Sequence, residues 1–302
     1  MNKTKDCFIN KKTLMEKSGS IFNLLAGLAS IFGLMYVLFK IPEQSIVEIY
    51  IIMLSTILIV YVIYINTKEL HRYSQVLSHI HAVNHIIRDA LVELENIPIN
   101  DLTKETKSRT KDLVNIISSC YSMLSRTHCN VSLKEVQSKN DINYLNTIAR
   151  DSTSFTQRDK HNSASSDDTI DSNTDFSKIW YKDELGLKYY LSNNLKAEFK
   201  KNNYKNTSFL KYGDPELIHI FGYPFIKKWT LPYMSTLVFP IQYMNSSGAK
   251  NAIYGFLCID SNSTNIFDSR YMVELGAAFA DALYLYFSQV EEILDRATRP
   301  QP

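Results

Sequence analysis

The sequence predicts an α+β fold in which two transmembrane helices and a helical coiled-coil stalk precede a cytosolic domain of antiparallel sheet flanked by helices. Three observations carry that expectation. Two long, nearly uncharged runs lie between residues 21 and 66. The polar stretch behind them places apolar residues at alternating steps of three and four. The C-terminal part holds two β-rich runs joined by a turn and closed by an amphipathic helix.

Composition narrows the chemistry. A chain of 302 residues has room for two modest domains. Its net charge of +2 leaves no bulk attraction to nucleic acid. The 9 glycines form neither G-x-G-x-x-G nor G-x-x-x-x-G-K-[ST], so no phosphate-cradling loop is expected. The 4 cysteines, Cys7, Cys120, Cys129 and Cys258, form no C-x-x-C pair, which argues against structural zinc and a disulfide framework.

Residues 1–20 form a basic N-terminus. A transmembrane hairpin follows over 21–66, built from Ile21–Phe39, which has no charge, and Ile46–Asn66, whose only charge is Glu48. Each run is long enough at 1.5 Å per residue to cross a hydrocarbon core of roughly 30 Å. Lys3, Lys5, Lys11, Lys12 and Lys17 precede the first run and Lys68 and Arg72 follow the second, while the connection carries only Lys40. The positive-inside rule then predicts an inner-membrane, multi-pass protein with both termini cytoplasmic. Ala26 with Ser30, and Ala29 with Gly33, are small-xxx-small pairs that favour close helix packing in lipid.

Over 67–98 the sequence predicts the stalk. Leu70, Leu77, Asn84 and Leu91 take a positions, and Tyr73, Ile80, Ile87 and Leu94 take d positions. The dimerisation set is Leu70, Leu77, Ile80, Asn84, Ile87 and Leu91, with Asn84 selecting register and a two-stranded state. The same spacing fits an amphipathic helix lying on its own domain, and the two readings stay open here. Ile97-Pro98 ends the helix. His71, His79, His81 and His85 lie on it, and the i, i+4 pair His81 and His85 reads as exposed polar residues, since no H-E-x-x-H is present.

The domain is expected over 100–295, with a tail at 296–302. A helix from Lys104 to about Arg126 is followed by strands at Asn130–Gln137 and Tyr144–Arg150. The Ser-, Asp- and Asn-rich stretch 151–174 reads as a mobile loop. A helix is expected over about 182–201 from Leu187, Tyr190, Leu191, Leu195 and Phe199. An irregular aromatic segment leads to Leu231-Pro232. Ser235–Tyr243 and Ala252–Asp260 read as a strand hairpin around Asn245–Gly248, with Gly255 marking a bulge or a close backbone approach. Asp268 is placed to cap a last helix that runs to about Asp295.

The segment Tyr233-Met234-Ser235-Thr236-Leu237-Val238-Phe239-Pro240-Ile241 is similar to the strand that ends in proline in GAF domains. Ile253 to Ser261 resembles their next strand, and Phe267 with Leu275 to Leu283 resembles their last helix. The resemblance is strongest over about 233–287. It implies a cytosolic sensory module that binds a small molecule or serves as a dimerisation scaffold. The Asn-Lys-x-Asn-Phe-type signature of cyclic-nucleotide-binding members is absent, so the ligand and any cofactor stay unspecified. By resemblance to where GAF domains hold ligands, the ligand-binding set is Phe176, Trp180, Tyr233, Ser235 and Asp260.

No G-x-S-x-G elbow, kinase signature or zinc-deaminase motif occurs, and no enzyme is expected. Asp167-Asp168 and Asp183-Glu184 read as solvated loop charge. Cys258, between Leu257 and Ile259, reads as a packed residue. The dense aromatic residues from Trp180 to Tyr233 suit either core packing or a planar ligand. The expected partners are the lipid bilayer, a second copy of the chain and a small-molecule ligand, and not nucleic acid. Two functions fit this plan. One is a membrane-anchored ligand sensor that signals through the stalk to the spans or to a partner. The other is a two-span membrane-disrupting effector, similar in plan to those of bacterial anti-phage signalling systems and activated by a nucleotide-type messenger. About seven residues follow Asp295, so no output domain is expected behind the sensor.

Overall fold

The computed structural model describes residues 27, 30, 33, 44–140, 142–154, 168–181, 188–220, 223–242, 253–269 and 271–298. The N-terminus at 1–20, the first expected span apart from Gly27, Ser30 and Gly33, the Asn245–Gly248 turn and the end of the tail lie outside these residues. The chain divides into two units, Met1–His71 and Arg72–Pro302.

Helix α1, Gln44–Leu94, begins in the first unit and continues into the second. Its segment Tyr50–Lys68 has a mean hydropathy of 2.0, and none of it is buried. Among the described residues it is the one helix long and apolar enough to cross a membrane. The hydroxyls of Ser55 and Thr56 donate back to the Ile52 carbonyl at 2.8 Å each, so they add no unsatisfied donor to the apolar surface.

In the second unit, Val76, Val83, Ala90 and Leu94 of α1 are buried in the main core, with Ile80, Ile87 and Leu91 packed beside them. Leu77 is 65% exposed, and Asn84 is exposed as well. Pro98 follows with φ −57° and ψ 140°, an extended residue that separates α1 from helix α2, Ile99–Ser125. Helix α2 begins before Lys104 because Leu102 already faces the core. Arg126, at φ 59°, ends it in the left-handed conformation.

Strands β1, Cys129–Lys139, and β2, Ile142–Arg150, form the first hairpin, with Asn140 at φ 52° in the turn. Helix α3, Thr174–Trp180, strand β3, Tyr190–Ser192, and the short helices α4, Leu195–Lys200, and α5, Ser208–Tyr212, come next. A separate two-stranded ribbon joins β4, Glu216–Ile220, to β5, Tyr223–Lys228. Strands β6, Ser235–Gln242, and β7, Ile253–Ser261, pair in the expected hairpin. Helix α6, Tyr271–Thr298, closes the domain, and Asp268 Oδ1 accepts from the Tyr271 amide at 2.8 Å. The main sheet has the order β2-β1-β7-β6-β3, antiparallel throughout.

Three expectations change. Instead of one helix over 182–201, the described residues 188–201 hold β3, a break at Asn193-Asn194, and α4. Asn193 exchanges two hydrogen bonds with the Phe267 backbone at 2.8 and 2.9 Å, and the Asn194 side chain caps α4. The stretch expected as a loop is ordered at its end, where the Leu145 amide donates to the Asp168 carbonyl at 2.8 Å and Ile170 donates to Asn143 at 3.0 Å. The aromatic segment contains α5 and the β4–β5 ribbon, not irregular chain alone.

Candidate functional site: the polar face of the sheet

Strand alternation sorts the sheet into two chemically different faces. Val131, Leu133, Leu237, Phe239, Leu257 and Ile259 join the core with α2 and α6. The residues between them face the other way. Registers align Arg150, Ser132, Cys258, Val238 and Tyr190 in one row, and Asn130, Asp260, Thr236 and Ser192 in the next. Lys134, Phe256 and Pro240 form a third row. This second face therefore mixes buried aromatic and polar side chains.

Helix α3 lies over that face. Phe176 packs edge-on against Phe256 with ring centroids 4.9 Å apart, and Ile179 is fully buried beside them. Asp175, immediately before Phe176 on the same helix, is only 4% exposed. Its Oδ1 accepts from the Phe176 amide at 3.2 Å. Burial, reinforced by repulsion from Asp260, pushes the Asp175 carboxyl up to about 7. Asp260 is 8% exposed, and its Oδ1 accepts from Thr236 Oγ1 at 2.7 Å.

Lys134 supplies the balancing charge. Its ammonium lies 3.2 Å from Asp168 Oδ2, 3.4 Å from Thr147 Oγ1 and 5.7 Å from the centroid of the Phe176 ring. Asp168 also accepts from Thr207 Oγ1 at 2.5 Å. Burial works to raise the Asp168 carboxyl, but Lys134 and the Thr207 hydroxyl outweigh it and hold the group below its usual value. Asp168 is thus a half-buried ion-pair partner, which corrects its reading as solvated loop charge.

The expected ligand-binding residues separate into three environments. Phe176 and Asp260 share the polar face, and Trp180 packs half-buried against the same apolar cluster. Tyr233 belongs to a second aromatic cluster with Leu195, Tyr204, Phe209 and Leu231. Its hydroxyl accepts from Asn206 Nδ2 at 3.2 Å. Ser235 is fully buried, pairs with Ser261 one residue out of phase with Asp260, and donates to the Ser263 carbonyl at 2.7 Å. Most of the aromatic density is packing: Phe199, Phe209 and Trp229 meet edge to face with centroids 5.3 to 6.0 Å apart.

Lys134, Asp168, Asp175 and Thr236 were not anticipated from sequence. The available signal was alternation, because Lys134 falls at an inward position of the run Val131–Val136, and Asp175 adjoins Phe176. Cys258 is buried, and burial pushes its thiol up, as expected of a packed residue. On α1, His81 Nε2 and His85 Nε2 lie 2.8 Å apart, and His85 Nδ1 lies 2.7 Å from Arg88. No group of three metal-ligating side chains occurs among the described residues.

No protein-family model matches the chain, and no curated protein matches it. Solved structures do. A GAF domain from an Acinetobacter phosphoenolpyruvate-protein phosphotransferase is similar at 11% identity and TM-score 0.33, over 70% of this chain and 92% of that one. A type II free methionine-R-sulfoxide reductase from Thermoplasma acidophilum is similar at 12% identity and TM-score 0.33, over 62% and 96%. The chromophore-binding domain of a bacteriophytochrome from R. palustris is similar at 10% identity and TM-score 0.33, over 71% and 62%. At these scores the likenesses carry no statement about ligand or chemistry.

Proposed function

We propose that this chain is a membrane-anchored ligand sensor whose GAF-like domain binds a small molecule and signals through α1 to the membrane or to a partner. The observation that carries this reading is α1 itself. One helix includes both the unburied apolar segment Tyr50–Lys68 and the buried residues Val76, Val83, Ala90 and Leu94 of the domain core. A shift in how the domain packs on this helix is a shift in an element that also enters lipid. The ligand is assigned to the polar face of the sheet, where Asp175, Asp260 and Lys134 are held among aromatic rings. Ligand and domain together bias a dimeric stalk, in which the exposed a positions Leu77 and Asn84 face the second copy.

Thermal melts of the full chain in detergent, against the small-molecule filtrate of a cell lysate, test the reading. The filtrate raises the Tm of the wild type and has a smaller effect on Phe256→Ala, measured against that variant's own baseline. An unchanged wild-type Tm overturns it.

A further inference from the structure

Resting on the membrane half of that reading, we propose that the β4–β5 ribbon is a second membrane contact, which seats its apolar side chains in the headgroup region of an anionic phospholipid surface. The ribbon stands apart from the main sheet, and a two-stranded hairpin alone is marginally stable in water. It nevertheless turns large apolar side chains outward: Tyr223 is 71% exposed, Phe225 44%, Leu217 42% and Ile218 40%. Leu210, on the short helix α5 just before β4, is 90% exposed. A cluster of this kind marks an interaction surface, whereas apolar residues exposed singly do not.

Charge and register decide which partner. Residues 195–228 carry seven lysines against three acidic residues, in a chain whose net charge is only +2. Lys227 and Lys228 end β5 and are exposed, and the Lys200 ammonium lies 5.2 Å from the centroid of the Phe225 ring. Lys227 meets Glu216 at 3.6 Å, an exposed pair that holds little energy. Two copies of so basic a surface repel each other, so a second chain is a poor occupant. An acidic protein would answer the charge but would cover one face of the ribbon. The register pairs Ile218 with Phe225 and Leu217 with Ile226, so successive pairs put apolar side chains on both faces. A lipid interface surrounds an inserted ribbon on both sides, and its anionic headgroups meet the lysines. Insertion is shallow, because the outer edges of β4 and β5 keep backbone groups that need water or headgroups. The unburied apolar segment Tyr50–Lys68 of the same chain supplies the bilayer that this surface meets.

The test uses the full chain with Cys7→Ser and a nitroxide on His219→Cys, in vesicles of phosphatidylcholine alone or with about 30% phosphatidylserine. His219 is exposed, and Cys120, Cys129 and Cys258 are buried, so the label goes to one site. On the anionic vesicles oxygen, which concentrates in lipid, reaches the label while a water-soluble nickel complex does not; on phosphatidylcholine alone the label stays aqueous. Lys227→Gln with Lys228→Gln lowers the ratio of inserted to free ribbon by about fivefold per lysine. Tyr223→Ser lowers it without a change of charge, and because all three side chains are exposed the detergent Tm of each variant matches the parent. A label that stays aqueous on both vesicles, an equal response without phosphatidylserine, or an undiminished response in both variants overturns the proposal. Carbonate extraction reads the anchor separately. A chain that carbonate leaves in the membrane with an aqueous label removes this inference and leaves the anchored reading. A chain that carbonate releases removes the anchored reading, and the label alone then decides the ribbon contact.

Discussion

Asp175 sits where its neutral form is favoured, and the sign of that effect can be measured. Its folded-state pKa of about 7 lies above the ordinary value of 3.8. The folded chain therefore holds more protons than the unfolded chain between those values, and the residue's contribution to stability is lost as pH rises through that window. Asp175→Asn is close to neutral near pH 4 and stabilises the ligand-free protein near pH 8, by up to about 4 kcal/mol. Denaturant melts at the two pH values read the difference, and a destabilised variant at the higher pH contradicts the assignment. Single charged residues were also the hardest part of the site to read from sequence. Lys134 and Asp175 look like surface residues until their strand and helix are given a buried partner. Phe176 and Asp260 were named by resemblance to where GAF domains hold ligands; Asp260 ends a β-rich run, whereas the sequence marks no element at Phe176.

At the scale of elements, the contact between α6 and the sheet is fixed by a missing side chain. A Cβ at Gly276 would overlap the Phe239 ring and crowd the Tyr121 hydroxyl. Phe239 is 1% exposed, and Tyr121 donates to the Met272 carbonyl at 2.7 Å, so neither yields easily. Gly276→Ala destabilises by about 1–3 kcal/mol through overpacking, although helix propensity alone would favour alanine by about 1 kcal/mol. A raised Tm in that variant contradicts the packing. The strands β6 and β7 were legible because β-rich runs flanked a turn signal, and Gly255 marked the close approach of the Lys134 carbonyl. The stretch 182–201 misled because Tyr190, Leu191, Leu195 and Phe199 mimic helical spacing across Asn193-Asn194, whose side-chain bonds exist only once Phe267 and α4 are in place. The β4–β5 ribbon was missed because its strands are mostly exposed, and no buried residue of β5 marks a core-facing side.

At the scale of the whole molecule, the heptad positions of α1 differ in burial, and its a position Leu91 packs against the domain core alongside the d positions. Its d positions Ile80, Ile87 and Leu94 pack against the core of their own domain, while Leu77 and Asn84 stay outside. The sequence left a stalk seam and an on-domain helix as alternatives, since both need the same 3.5–3.6 periodicity and only burial distinguishes the two sides. The sensor account uses both: the inner side couples α1 to the ligand-binding domain, and the outer side meets a second copy. Disulfide crosslinking of Leu77→Cys between copies of the full chain in membranes, with and without the small-molecule filtrate, tests this directly. The account predicts crosslinking through Leu77→Cys whose efficiency changes when the filtrate is added, and no such change in a chain that also carries Asp260→Asn. Crosslinking that is absent, or that is identical with and without filtrate, would contradict it.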